Sequence, residues 1–146
     1  MKVKLLLVLH LFFISFTAWH YNLDDAKQIA KKEHKHILLN FSGSDWCGPC
    51  IRMRKEIFEI DVFEKMADTE LVLVNADFPR MKKNQLSSKQ QELNNAIAEQ
   101  YNSQGKFPYT LLLDANGKVL REWDGLPNIT SEDFTIEVRN GIYADR

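Results

Sequence analysis

The chain has 146 residues, of which 45% are hydrophobic, so its length and composition fit one globular domain and exclude an intrinsically disordered protein. Lys and Arg number 19 and Asp and Glu number 20, which gives a formal net charge of −1. This near balance argues against nucleic acid as the main partner.

The N-terminal segment has the layout of a secretory signal peptide. Lys2 and Lys4 form a short basic start, and a mostly apolar run follows at residues 5–18. This run is shorter than the roughly 20 apolar residues that a transmembrane helix needs. We therefore predict a signal peptide at residues 1–18 and a mature, periplasmic or secreted domain at residues 19–146. An uncleaved membrane anchor is the alternative.

Two helix patterns and two strand patterns follow the apolar run. Asn22 is a suitable N-cap for a first helix, because acidic residues occupy its first turn and basic residues its end. Residues 37–41 form an apolar run typical of a strand buried on both faces. A turn at residues 42–46 leads into a second helix, and residues 71–77 form a second buried strand.

The second half of the chain is predicted to form a helix, a β-hairpin and a last helix. Ser88, with Gln91 three residues later, is a capping box. The Asn-Gly pair at 116–117 indicates the turn of a hairpin. Thr130 is predicted to open the last helix and Gly141 to end it. The order α-β-α-β-α-β-β-α predicts an α/β fold, in which helices cover both faces of a mixed sheet.

The only two cysteines, Cys47 and Cys50, lie in the segment DWCGPC. A structural zinc site needs four ligands, so two cysteines alone do not form one, and no metal is expected. A disulfide that closes so short a loop constrains the unfolded chain little, which makes a purely structural disulfide a weak explanation. A C-x-x-C pair between a buried strand and a helix is instead typical of a redox-active disulfide.

The positions of the two cysteines predict different roles. Cys47 lies at a helix N-terminus, where unpaired N–H groups stabilise the thiolate that attacks a disulfide. Gly48 allows a substrate backbone to approach, and Pro49 suits the first helical turn. We expect Cys47 to form a mixed disulfide with the substrate, and Cys50, shielded by the core, to resolve it. Trp46 is either an apolar rim of the substrate site or a plain core tryptophan.

Four segments resemble the thioredoxin superfamily, and in particular its exported thioredoxin-like branch: WCGPC at 46–50, LVNADF at 73–78, FPYT at 107–110 and LLLDANGK at 111–118. The resemblance covers about residues 19–143. It implies a thioredoxin fold with a four- to five-stranded sheet. It also implies thiol–disulfide exchange without a cofactor, with Cys47 as the nucleophile and Cys50 as the resolving thiol. Finally, it implies a cis Pro108 beside the backbone of Phe107, which would pair with an extended substrate.

The chain departs from the superfamily pattern at three positions. A buried aspartate that helps the resolving cysteine to lose its proton is replaced by Asn40. The lysine that usually accompanies this aspartate falls near Leu73, so the usual proton acceptor is absent. Tyr109 stands where threonine is common, which predicts a bulkier substrate groove.

The connection after the second strand is long and basic. It is either a partner-binding patch or a solvated loop. Its basic side chains are Arg80, Lys82, Lys83 and Lys89.

Together these features predict an exported thiol–disulfide oxidoreductase that reduces protein or peptide disulfides, because the Gly-Pro pair between the cysteines resembles that of reductases. In an oxidising compartment such a reductase needs an electron donor, which we expect to be a membrane protein that delivers electrons from the cytosol. Two alternatives stay open. One is a disulfide oxidase or isomerase of the same fold, and the other is a binding or chaperone module that turns over poorly, as Asn40 allows.

Overall fold

The computed structural model describes residues 18–145, so residues 1–17 of the predicted signal peptide lie outside the described residues. Within the described part, no helix has the length and apolarity that a membrane span requires. Its strands are β1 (Trp19–His20), β2 (His36–Ser42), β3 (Leu71–Asp77), β4 (Tyr109–Leu113) and β5 (Val119–Asp124). Its α-helices are α1 (Leu23–Glu33), α2 (Gly48–Met53), α3 (Asp61–Glu70), α4 (Ser88–Tyr101) and α5 (Ser131–Ala144).

The strands form one mixed sheet in the order β1-β3-β2-β4-β5. β1 and β2 run parallel to β3, whereas β4 runs antiparallel to both β2 and β5. Helices connect the parallel strands β2 and β3, as a crossover between parallel strands requires. The predicted α/β class, with helices on both faces of a mixed sheet, is confirmed, and the sheet has five strands.

The side chains of β2 alternate between two hydrophobic cores, because successive residues of a strand point to opposite faces of a sheet. Leu38 belongs to a core formed with α2, α3 and α5, whereas Ile37 and Leu39 belong to a core formed with α1 and α4. By the same alternation Asn40 lies on the face of Leu38. The strand thus places a polar side chain on the side of the sheet that α2 covers.

Two predicted helix starts are confirmed by their capping hydrogen bonds. The Oδ1 atom of Asn22 accepts a hydrogen bond from the amide of Asp24 at 2.9 Å and a longer one from the amide of Asp25. Thr130 Oγ1 accepts one from the amide of Asp133 at 3.1 Å. These side chains satisfy amides that the first helical turn leaves unpaired.

Two other predicted helix ends are wrong. The cap of α4 is Ser87 rather than Ser88. The helix α5 continues through Gly141, which was predicted to end it. A Cβ atom on Gly141 would lie 2.6 Å from Cδ2 of Leu112, so this glycine permits close packing of the helix on the sheet.

The predicted order of elements omits β1 and α3. β1 has only two residues, and it pairs with Leu73 and Val74 of β3. α2 passes into one π-helical stretch, Arg54–Phe58, before α3 begins. The buried side chains of α3, Phe63 and Met66 among them, recur at helical spacing and complete the first core.

Candidate active site

Cys47 and Cys50 form a disulfide at the start of α2. Cys47 is the N-cap residue of this helix, and its Sγ accepts a hydrogen bond from the amide of Cys50 at 3.2 Å. Gly48 and Pro49 are exposed, and a Cβ atom on Gly48 would meet no atom within 4 Å. The turn between the cysteines is therefore open to an approaching polypeptide.

The predicted difference in shielding between the two cysteines is not present in this oxidised state. Cys47 is 5% exposed and Cys50 is 4% exposed. The structure does distinguish them by their neighbours. Cys50 lines a cavity of about 220 Å³ that Asn40 and Asn75 also line.

Trp46 forms an aromatic wall beside the disulfide. Its Nε1 donates a hydrogen bond to the carbonyl oxygen of Phe78 at 2.7 Å, and its ring meets the ring of Phe107 edge-on at 5.4 Å. The ring also packs on Gly43, where a Cβ atom would lie 2.3 Å from Trp46 Cε2. Trp46 is half-buried, so it is both a packed side chain and part of the rim.

Phe107 and Pro108 directly precede β4, and the ring of Phe107 completes the aromatic wall with Trp46. The peptide bond between them is cis. Pro108 is buried and its carbonyl oxygen accepts a hydrogen bond from the amide of Gly125, whereas Phe107 is half-buried. Among residues 18–145, no backbone hydrogen bond outside the helices and strands uses Phe107.

Asp45, which the sequence analysis did not single out, ties the basic connection to the active-site turn. Its carboxylate accepts hydrogen bonds from the amides of Arg80 and Met81 and from Nδ2 of Asn84, each at 2.9 Å. The hydrogen bond from the Arg80 amide is the main cause that holds the pKa of Asp45 below its ordinary value. The guanidinium carbon of Arg80 lies 3.6 Å from the centroid of the Trp46 ring.

Asn40 has a different neighbour on β3 from the one that the sequence predicted. Asn40 lies opposite Asn75 across β2 and β3, and its Nδ2 donates a hydrogen bond to Asn75 Oδ1 at 3.1 Å. Thr110 Oγ1 donates to Asn40 Oδ1 at 3.0 Å. Leu73, expected near this site, pairs instead with Leu38 in the first hydrophobic core. Asn75 was missed because only the strand register identifies it.

Tyr109 does not occupy the groove that its size was expected to narrow. It is 7% exposed, stacks on Phe41 and belongs to the second core. Its hydroxyl donates a hydrogen bond to Glu122 at 2.6 Å. Burial, together with this hydrogen bond, raises the pKa of Tyr109 to about 12.

Residues 23–140 of this chain match a protein family that is described as a thioredoxin-like domain. The chain is 38% identical over 96 residues to the disulfide bond reductase DsbH of Chlamydia pneumoniae. This match covers 66% of this chain and 56% of DsbH. It is 35% identical over 75 residues to the thioredoxin-related protein DsbJ of the same organism, which covers 51% of this chain and 22% of DsbJ. The chain thus spans about half of DsbH and less of DsbJ.

A solved structure of a DsbH oxidoreductase superimposes on the chain with a TM-score of 0.79. The two are 29% identical, and the match covers 97% of this chain and 95% of that one. These likenesses confirm the predicted thioredoxin fold.

Proposed function

Since the chain belongs to the thioredoxin-like domain family, we propose that it is an exported thiol–disulfide oxidoreductase that reduces disulfides in protein or peptide clients. The observation that carries this proposal is the Cys47–Cys50 disulfide at the start of α2, beside the exposed turn Gly48-Pro49. The similarity to a disulfide bond reductase supports the reducing direction. The WCGPC motif at residues 46–50 supports it as well.

The proposed reaction is a two-step exchange. In the reduced protein, the Cys47 thiolate attacks one sulfur of the client disulfide, whose other sulfur leaves as a thiolate. Cys50 then loses its proton and attacks the Cys47 sulfur of the mixed disulfide. This step closes the Cys47–Cys50 bond and releases the second client thiolate. Two electrons pass to the client, and the structure holds the oxidised product.

The surroundings of the disulfide support a client-binding role for four residues. Trp46 and Phe107 form the aromatic wall, and Gly48 and Pro49 leave space above the turn. In this proposal an extended client segment pairs with the backbone of Phe107, next to the buried Pro108. The client disulfide then approaches Cys47 along the wall.

Export and the electron donor complete the proposal. Residues 1–18 would direct the chain out of the cytosol, and residues 19–146 would act in the periplasm or outside the cell. Each turnover leaves Cys47 and Cys50 oxidised, so a dithiol donor has to return two electrons to them. A membrane protein that carries electrons from the cytosol suits an oxidising compartment.

One observation favours a second candidate, a module that binds clients but turns over poorly. Asn40 and Asn75 line the cavity beside Cys50, and neither amide accepts a proton in place of a carboxylate. Slow resolution would then retain a client as a mixed disulfide. A disulfide oxidase or isomerase of the same fold is distinguished from both by its redox potential.

Two measurements test the proposed function. Reduction of insulin by dithiothreitol should accelerate with the mature chain and not with the Cys47→Ser/Cys50→Ser variant. No acceleration by the wild-type chain would favour the binding module. In glutathione buffers, the potential of the Cys47–Cys50 pair should lie nearer to the about −270 mV of thioredoxin than to the about −120 mV of the oxidant DsbA. A value near the latter would make the protein an oxidase.

A further inference from the structure

We propose that residues 79–89, here called the basic segment, form a docking surface for acidic polypeptide segments that flank a client disulfide; this inference rests on the proposed function. The basic segment contains no Asp or Glu, although the whole chain has a net charge of −1. Its positive charge is therefore local. Its exposed cations are Arg80, Lys82, Lys83 and Lys89.

The side chains of these four cations are not neutralised by ion pairs within residues 18–145. None of the ion pairs among residues 18–145 includes any of the four, whereas many other basic side chains are paired, such as Arg52 with Glu56 and Arg139 with Glu70. Asp45 holds the segment by accepting hydrogen bonds from the backbone amides of Arg80 and Met81 and from the side-chain amide of Asn84. The segment is thus anchored without neutralising its basic side chains.

The anchoring places the cations beside the redox disulfide. Asp45 precedes Cys47 by two residues, so its hydrogen bonds hold Arg80 and Met81 against the active-site turn. The Arg80 guanidinium stacks on Trp46, at a distance where a cation and an aromatic ring attract each other. A planar guanidinium held on a ring keeps its N–H edge available to a carboxylate.

The geometry favours a protein ligand over other anions. A client delivers its disulfide to Cys47 past Trp46, so the residues next to that disulfide come close to Arg80. Met81 is 48% exposed and offers an apolar contact between the cations, which suits a mixed polypeptide more than a uniformly charged polymer. Charges at the rim of an interface act mainly on the association rate and its salt dependence.

The test compares two disulfide-bonded peptides that differ only in the residues flanking the disulfide, Asp and Glu in one and Asn and Gln in the other. With the wild-type chain at low ionic strength, we expect kcat/KM to be about ten-fold higher for the acidic peptide, the lower end of electrostatic rate enhancement. The advantage should shrink towards unity in 0.5 M salt, because the Debye length then falls to a few Å.

The variants Arg80→Gln and Lys82→Gln/Lys83→Gln should each remove part of the preference. Lys82→Gln/Lys83→Gln, which leaves the Arg80–Trp46 stack in place, should also leave the reduction of the neutral peptide unchanged. The matched control is Lys31→Gln/Lys32→Gln. It removes two exposed cations at the end of α1, next to the start of β2 and away from the disulfide. This control should keep the full preference.

The outcomes separate this inference from the proposed function. Equal kcat/KM for both peptides with the wild-type chain, or an equal loss for both in the variants, would overturn the docking surface while the reductase stands. If neither peptide is reduced, the proposed function fails, and fluorescence anisotropy of serine versions of the peptides decides the docking surface. Roughly ten-fold tighter binding of the acidic version supports it, and equal binding overturns it. Binding to phosphatidylglycerol vesicles without a peptide preference would assign the segment to membranes instead.

Discussion

Asn40 donates a hydrogen bond through its Nδ2 to Oδ1 of Asn75, across the two parallel strands behind the redox disulfide. Its own Oδ1 accepts a hydrogen bond from Thr110, so both ends of the amide are engaged. Cys50 lines the same cavity and is 4% exposed. Burial disfavours a charged thiolate, and an amide pair does not take up the proton of Cys50. Resolution of the mixed disulfide is therefore expected to limit turnover.

The variant Asn40→Asp should accelerate this step. A carboxylate at the site can accept the Cys50 proton. Positioned acid–base catalysis contributes about 10²–10⁴-fold, and we expect a smaller gain here, on the order of ten-fold, because water or the leaving client thiolate already takes this proton in the wild-type protein. The decay of the mixed disulfide in single-turnover reduction of a small disulfide measures the rate. The same change should lower the free energy of unfolding, because an unpaired buried carboxylate is unfavourable.

The matched control for this prediction is Asn94→Asp. Asn94 is 1% exposed and bonds the carbonyl oxygen of Asp77 from α4, on the other face of the sheet. It should cost stability without changing the resolution rate. An unchanged rate in a folded Asn40→Asp protein would mean that the proton leaves Cys50 by another route.

Cys47 should be the thiol that attacks clients. In the reduced protein, we expect iodoacetamide to label Cys47 faster than Cys50 at pH 7. Cys47 is the N-cap of α2 and its Sγ accepts a hydrogen bond from the Cys50 amide, and such a position favours the reactive thiolate. The variant Cys50→Ser should accumulate mixed disulfides, visible by non-reducing electrophoresis and mass spectrometry. Accumulation in Cys47→Ser instead would reverse the two roles.

Gly43 and Gly48 should respond differently to the same substitution. Gly43→Ala places a Cβ atom 2.3 Å from the Trp46 ring, and overpacking of this kind costs typically about 1–3 kcal/mol of unfolding free energy. Gly48→Ala meets no atom within 4 Å and should change that free energy by less than about 0.5 kcal/mol. Urea unfolding followed by tryptophan fluorescence measures both. Equal costs would show that Trp46 moves away from residue 43 freely.

Asp45 should control the order of the basic segment in a pH-dependent way. The amide hydrogen bond from Arg80 lowers the pKa of Asp45 below 3.8, so the ionised carboxylate is favoured in the folded protein. The stability that Asp45 contributes is present at pH values above its pKa in the unfolded chain, and it is lost as the pH falls through its lower pKa in the folded protein. The amide NMR signals of Arg80 and Met81 should therefore titrate with a midpoint below 3.8.

The variant Asp45→Asn should abolish that titration and speed hydrogen exchange at Arg80 and Met81. Asp114→Asn is a suitable control, since Asp114 likewise accepts backbone amides but within the β4–β5 turn. It should leave the two amides unaffected. A midpoint of the wild-type titration above 3.8 would contradict the hydrogen-bonded arrangement.

Tyr109 should ionise late in an alkaline titration. Its pKa is raised from 10.0 to about 12, chiefly by burial. A raised tyrosine pKa contributes stability that is complete below the unfolded value and lost as the pH rises through the folded value. Absorbance at 295 nm should show a late phase near pH 12 that Tyr109→Phe removes. Replacing the exposed Tyr21 by Phe should leave this late phase in place. Loss of the late phase in Tyr21→Phe would contradict its assignment to Tyr109.

The sequence alone determined the parts of the protein that depend on neighbouring residues. Apolar runs located β2 and β3, because a strand buried on both faces needs continuous apolar side chains. Asn22 and Thr130 identified two helix starts, because a cap bonds amides two or three residues away. The segment at residues 46–50 identified the redox pair because both cysteines lie within it, two residues apart.

The contacts that join distant segments of the chain depend on the tertiary structure. Asn75 faces Asn40 because of the register of β2 on β3, and a shift of one residue would turn either side chain to the other core. Asp45 meets Arg80, 35 residues later, because the end of β3 passes the active-site turn. Gly141 stays inside α5 because Leu112 packs against it. Such contacts follow from the packing of whole elements, which local propensity along the chain does not encode.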